Sequence, residues 1–305
     1  MADDLLRIPL PGTHPATPAI TAPGDGSGYW AGGPSVAVDD EGTVWLAYRL
    51  RRPVGDGRGY AVAVARSDDG LAFTEVARIE RAAFGCDSLE RPALVRRPDG
   101  GWRLYLSLAT SGTLHWTVVA LDADHPKAFD PVTAVTVLDD GPDRALKDPV
   151  VHASPEGWEM WVCLHEVGEP AQADAMTTLY GRSPDGLAWE LDTEPVLAPG
   201  PSSTWDRRGT RIAAVVDLDD RRVAYYDGRA SAAENWEERT GVAVAGADGR
   251  FSPRDEGPVG TSPHATGSLR YVDVLRLPDG IRLYYEAARP DGAHDLLVEN
   301  SPLPT

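Results

Sequence analysis

The sequence predicts an all-β fold, a five-bladed β-propeller closed by its N-terminal strand, and three observations carry that expectation. Its 26 prolines and 31 glycines are scattered along the chain, the punctuation of many short elements joined by turns. One hairpin-like stretch recurs five times, each copy a short apolar strand, a polar turn rich in Asp, Gly or Pro, and a second strand ending in aromatic or aliphatic residues. The copies are evenly spaced: Pro34, Pro92, Pro149, Ile212 and Tyr271 stand at equivalent places, 58, 57, 63 and 59 residues apart. A near-constant period of that length has room for four strands, which is one propeller blade.

In chain order the inner hairpins are GPSVAVDDEGTVWLAY (33–48), RPALVRRPDGGWRLYL (91–106), DPVVHASPEGWEMWV (148–162), RIAAVVDLDDRRVAYY (211–226) and RYVDVLRLPDGIRLYY (270–285). Outer strands follow. YAVAVARSDDGLAFTEV (60–76) and TTLYGRSPDGLAWELD (177–192) share a Ser-Asp/Pro-Asp-Gly-Leu-Ala-aromatic turn, and HWTVVAL, TGVAVAG and DLLVENS hold the same place elsewhere. After DLLVENS too few residues remain for a last outer strand, so LLRIPL (5–10) is expected to supply it, because an open ring would expose a strand edge. The whole of 1–305 is then one domain.

With 42% hydrophobic and 25% charged residues among 305, the chain is ordinary for a globular protein. Its 29 Lys and Arg against 47 Asp and Glu give a net charge of -18, a field that repels nucleic acid and anionic membranes and favours solubility. The opening MADDLLRIPLPG carries acids where a signal peptide needs basic residues, and no run of about 18 apolar residues occurs. A cytoplasmic protein without a membrane span is expected. Cys86 and Cys163 have neither metal-site nor redox-motif spacing, and read as two unlinked thiols.

Blade geometry says where chemistry should gather. Strands run antiparallel from the axis outward, so the start of each first strand and the end of each second strand reach the same face, opposite the Asp-Gly turns. That funnel would collect Tyr29, Trp30, Gly32, Gly33 and Arg49; Asp87, Glu90 and Arg91; Lys147, Asp148, His165 and Glu166; Trp205, Asp206, Arg208, Arg211, Asp227 and Arg229; and His264, Arg270 and Glu286. Charged groups beside exposed Trp30 and Trp205 suit a polar small molecule, with the aromatics able to stack on sugar rings. Acids at unequal burial would supply separated pKa values for acid/base work. The bland alternative is inter-blade pairing, such as Asp148 with Arg211 or Glu90 with Arg270.

Five blades, an Asp-Pro opening an inner strand and Ser-Xaa-Asp-Gly turns resemble the five-bladed propeller glycosidases, glycoside hydrolase family 43 and its arabinanase, levansucrase and invertase relatives. The resemblance implies an inverting hydrolase with an Asp base opening the first blade, a tuning Asp opening the third and a Glu acid opening the fourth. Asp148 in Lys147-Asp148-Pro149 matches the third-blade Asp. The first-blade place falls at Gly32-Gly33-Pro34 and the fourth at Gly209-Thr210-Arg211, so two of the three carboxylates are absent from their matching positions. Inversion needs a pair, one acid to protonate the leaving oxygen and one base to activate water. The replacement trio is Glu90, Asp148 and Asp206, with acid and base unassigned.

The substrate-binding candidates are Trp30, Arg91, Glu166, Trp205, Arg211, Asp227, His264, Arg270 and Glu286. Arg91, Arg211 and Arg270 hold near-equivalent places, and guanidinium groups bind carboxylate or phosphate in bidentate fashion, so an anionic sugar or carboxylated metabolite is one expected ligand. The alternative is that each Arg balances a neighbouring acid. No cofactor or zinc site is expected. A calcium ion at the axis with a fifth-blade His is what the resemblance allows, His264 being the nearest match. Two functions remain open: a glycoside hydrolase on a small, neutral or anionic, sugar-containing substrate, or a divergent propeller that binds a ligand or performs a non-hydrolytic step.

Overall fold

Alternating apolar residues and Gly- or Asp-rich turns yield antiparallel ladders throughout. In the computed structural model, which describes residues 8–218, 221–278 and 280–302, every described segment of regular structure other than short 3-10 turns is a β-strand. The first strand pairs are Trp30–Val38 with Val44–Arg51, Ala93–Arg96 with Trp102–Ala109, Arg144–Ser154 with Gly157–Glu166, Gly209–Leu218 with Arg221–Arg229, and Leu269–Leu277 with Gly280–Ala288. Each second strand pairs outward with a third: Gly59–Ser67, Trp116–Ala123, Thr177–Ser183, Arg239–Ala245 and His294–Pro302.

The strand groups pack face to face through five buried clusters. One joins Trp45 and Val62 to Leu104 and Val119, and a second joins Tyr105 and Val118 to Met160 and Val162. Trp161 meets Ile212 and Tyr226 in a third; Tyr225 and Val242 meet Val272 and Leu283 in a fourth. The fifth brings the last group back to the first, through Tyr284 and Val298 against Leu46 and Ala63. At that seam the ladders fuse through one parallel bridge, Trp30 to His294.

An N-terminal strand does pair with His294–Pro302, but it is Ala16–Ile20. Of the expected segment 5–10, residues 5–7 lie outside the described residues, and Ile8 and Leu10 are non-strand residues packed on the cluster around Tyr225. Pro9, Pro11 and the left-handed Gly12 break the backbone there. Glu299 then redirects the chain: its carboxylate accepts from the amides of Gly12, Thr13 and His14 at 2.7, 3.1 and 2.7 Å.

One irregularity recurs where it matters. The first strands slip register between Gly32 and Ser35, Lys147 and Val150, Ile212 and Ala214, and Arg270 and Asp273. Three residues inside these bulges are left-handed, Gly33 (φ 58), Asp148 (φ 55) and Tyr271 (φ 53). A bulge re-aims the side chain it carries. Here it turns Asp148 and Tyr271 toward each other, with the phenol donating to Asp148 Oδ2 at 3.2 Å.

Candidate functional site

The floor of the funnel is a network of buried ions. Asp148, fully buried, accepts from the Arg91 amide at 3.1 Å and from Arg211 Nη1 at 3.0 Å, while its own amide donates to Ser107 Oγ at 2.9 Å. Arg211 also donates through Nε and Nη2 to Asp227 at 3.2 and 2.7 Å. Arg270 binds Glu286 Oε1 through Nε and Nη2 at 2.9 and 2.7 Å, and Glu238 through Nη1 at 2.5 Å. Tyr271 lies among them, its ring centroid 4.0 Å from Arg211, 5.0 Å from Arg270 and 5.5 Å from Arg49. Three guanidinium groups around one phenol leave an axis unsuited to calcium. Among the described residues no group of three His, Cys, Asp or Glu side chains is arranged to hold a metal.

Gly32 shows how tightly this floor is built. A Cβ there would stand 1.8 Å from Glu286 Oε2, so the carboxylate from the fifth strand group occupies the space beside the vacant first-blade position. Burial works against the Glu286 charge, yet Arg270 and His294 hold its carboxyl far below the ordinary range. His294 Nδ1 is 2.8 Å from Glu286 Oε1 and its ring stacks on Trp30 at 4.6 Å. Glu286 is therefore a locked anion.

Above the floor a cavity of about 300 Å³ opens, walled by Trp116, Trp236, Leu114 and Val54 and carrying Arg58, Glu90, Lys147, His165, Asp174 and Arg229. Glu90, 7% exposed, takes a 2.6 Å bond from Arg49 Nη1 and lies 3.5 Å from Arg58. Burial tends to raise its carboxyl, but Arg49, Lys147 and Arg58 prevail and hold it at about 2, so it is ionised at neutral pH. His165 is the reverse case: burial, with Lys147 and Arg229 nearby, pushes its imidazole well below the usual value and keeps it neutral. Arg58 (φ 52) and Trp236 (φ 73) are both left-handed, and such strained positions concentrate at functional sites. Trp236 is 43% exposed, with Arg51 held between it and Trp30 at 4.7 and 4.0 Å from the two rings.

The candidates from sequence separate into three sets. Glu90 reaches the cavity, together with Lys147, His165 and Arg229 of the funnel set. Asp148, Arg91, Arg211, Asp227, Arg270 and Glu286 form the buried floor, where Arg91 binds the Pro34 carbonyl through Nε and Nη2 at 3.1 Å. Trp30 joins that floor, buried to 2% exposure rather than open, because His294, Arg51 and Arg270 enclose its ring.

The third set lies elsewhere. Asp206 accepts from Thr204 Oγ1 at 2.6 Å and the Tyr226 hydroxyl at 3.0 Å; Trp205 stacks on Tyr226 and packs beside it. Glu166 is exposed with Arg144 at 3.6 Å, and His264 sits exposed in a loop. The expected Asp148–Arg211 pair forms, whereas Glu90 pairs with Arg49 and Arg58 instead of Arg270.

Missed were Arg58, Trp116, Asp174, Trp236, Glu238 and His294, all on the loops between second and third strands or at the third strands' starts. A signal existed. Those loops leave the same face as the second-strand ends, so the geometry that selected His165 applied equally to them.

No family model matches the chain, and no curated protein does. Solved structures do. An α-L-arabinofuranosidase from Lactobacillus brevis is 15% identical over 88% of this chain and 90% of its own, with a TM-score of 0.66. A thermostable family-43 glycoside hydrolase is 14% identical over 93% and 92%, at 0.67, and the endo-arabinase from Bacteroides thetaiotaomicron VPI-5482 is 14% identical over 94% and 97%, at 0.65. Such identities speak for the fold alone: this chain has the all-β propeller fold of the family-43-like glycoside hydrolases.

Proposed function

We propose that the chain is a single-domain, five-bladed propeller enzyme of the glycosidase type, acting in the cytoplasm on a small, anionic, sugar-containing substrate held in the Glu90 cavity. Five face-to-face clusters, the last linking back to the first group, support the blade count and the closed ring. Two free thiols, Cys86 and Cys163, support the compartment. The observation that carries the function is the cavity itself: an ionised carboxylate, three cations and two tryptophans converge on a space at the low end of ligand-pocket sizes. Ionised Glu90 fits the role of base or of counter-charge to a developing oxocarbenium ion, not of proton donor. Asp148 acts as a positioning residue through Arg211 and Tyr271, and Asp206 lines neither cavity nor floor.

A non-hydrolytic, ligand-binding role is the second reading, and one observation favours it. Asp148, Asp227, Glu238 and Glu286 are each bonded to guanidinium, and the other cavity acid, Asp174, is held by Arg208, leaving Glu90 without a free partner. The test is turnover of a panel of aryl glycosides, uronides included, by the wild-type chain and by Glu90→Gln. Turnover that falls at least about a hundredfold in the variant supports the enzyme; sugar binding by calorimetry without turnover of any panel member establishes the second reading.

A further inference from the structure

The wall of the Glu90 cavity carries polar atoms with nothing to bond. Among the described residues, Trp116 Nε1, His165 Nε2 and Arg229 Nε are buried without a hydrogen-bond partner. All three side chains line the same space. His165 is 5% exposed and Arg229 1%, so no bulk water compensates them, and an unmade buried hydrogen bond is costly. They lie close together: the Trp116 and His165 rings are 5.5 Å apart, Lys147 Nζ stands 4.5 Å over the Trp116 ring, and the Arg229 charge acts on His165.

The atoms differ in what they offer. Trp116 Nε1 and Arg229 Nε carry protons and can only donate. Lys147 donates and brings charge. In His165, Nδ1 lies 3.2 Å from the Ala173 carbonyl oxygen, an acceptor, which requires the proton on Nδ1. Nε2 of the neutral ring is therefore a lone pair, unpartnered on a side chain that lines the cavity. The wall asks for an acceptor-rich anionic group and, next to it, a hydroxyl that can donate.

Charge counting sets the valence of that anion. Arg58 is shared with Glu90, and Arg229 is bonded to Glu238 at 3.0 Å. Lys147 has Asp148 at 3.9 Å, itself already engaged by Arg211 at 3.0 Å, and its charge also acts on Glu90, which Arg49 binds at 2.6 Å. Lys147 is thus the most loosely paired of the cavity's three cations, which matches a singly charged carboxylate better than a phosphate of charge near -2. Glu90 and Asp174 in the same cavity penalise a dianion further.

We propose that the cavity is a uronic-acid site: the sugar carboxylate lies on Lys147, Arg229 Nε and Trp116 Nε1, and an adjacent ring hydroxyl donates to His165 Nε2. This rests on the cavity being the sugar site and adds the class of sugar. Free D-glucuronate and D-galacturonate, their neutral parent sugars and glucose 6-phosphate are titrated into the full chain by calorimetry, with Lys147→Met, Lys147→Arg and His165→Phe alongside.

The expected result is a uronate bound at least about tenfold tighter than its neutral parent and than the sugar phosphate. Lys147→Met abolishes that preference, Lys147→Arg restores part of it, and His165→Phe weakens uronate and neutral sugar alike. Equal binding of neutral sugar and uronate, tighter binding of the phosphate, or a preference surviving Lys147→Met overturns the proposal. Unchanged thermal midpoints show that a variant is folded; if Lys147→Met unfolds, the Lys147→Arg and His165→Phe titrations decide. Turnover of neutral aryl glycosides without preference for uronides sinks the uronate site and leaves the glycosidase reading standing. Uronate binding with no turnover of any glycoside does the opposite.

Discussion

Replacing Asp148 by Asn tests whether the matching family residue is here a structural anchor. The substitution keeps the shape and a carbonyl oxygen, and Asn tolerates the left-handed φ of 55° as Asp does, so backbone strain is unchanged. What goes is the charge facing Arg211 Nη1 at 3.0 Å, along with one acceptor among the contacts from Arg91, Arg211 and Tyr271. Breaking a buried ion pair by removing one partner costs about 3–5 kcal/mol. Arg211 retains Asp227 at 2.7 Å, which places the loss near the lower bound, about 3 kcal/mol. In a chain of this size that lowers the thermal midpoint by about 5 °C.

Urea unfolding of Asp148→Asn, Arg211→Gln and the double variant measures it. The double variant should recover more than about 1 kcal/mol of the summed single losses, because the two groups share one network. Stability of Asp148→Asn within about 0.5 kcal/mol of the parent, together with complete loss of turnover, would refute the reasoning and return Asp148 to the catalytic machinery.

Gly32→Ala should destabilise by about 3 kcal/mol or more, since the new methyl displaces Glu286 from Arg270 and His294; its denaturant midpoint reports this. Burial pushes the Asp273 carboxyl up to about 6, above its unfolded 3.8, so the folded state binds more protons between those values and stability falls as pH rises through that window. Asp273→Asn, still able to accept from the Val36 amide, should remove that fall and be more stable than the parent at pH 7 by about 1–2 kcal/mol, partial exposure screening the rest; urea midpoints at pH 4 and 7 read the difference. Glu299→Ala should leave the amides of Gly12, Thr13 and His14 without their acceptor, and their hydrogen exchange should quicken at least about tenfold while that of Tyr225 is unchanged.

The fold was legible because each strand group writes the same hairpin, and a period of about sixty residues leaves few architectures. Charge composition was legible too, but not its pairing. Arg91, Arg211 and Arg270 look alike in sequence; one binds a backbone carbonyl, the others bind Asp148, Asp227, Glu238 and Glu286. Which acid meets which Arg depends on contacts between groups far apart in the chain, and no local pattern records them. Trp30 misled for a related reason: it lies beside Arg270 as its position suggested, but His294, from the far end of the chain, closes over the ring. Of the cavity's residues, Glu90, Lys147, His165 and Arg229 stood in the funnel set, whereas Arg58, Trp116, Asp174 and Trp236 were overlooked because the outward loops carry no repeated motif, so comparing one hairpin with the next gave them no emphasis.

The strand Ala16–Ile20 finds its partner in His294–Pro302, with Ala16 opposite Glu299. A ribosome working at about 5–20 residues per second releases the first of these strands roughly a quarter to a full minute before the second exists. Throughout that interval the nascent protein carries an unmatched ribbon and, on the newest strand group, a bare edge able to recruit another chain. Yield in the cell should thus hinge on how long synthesis lasts: codons that slow the final stretch, or a chain stalled before residue 294, leave a nearly complete molecule whose first strand has no partner and which is prone to aggregate.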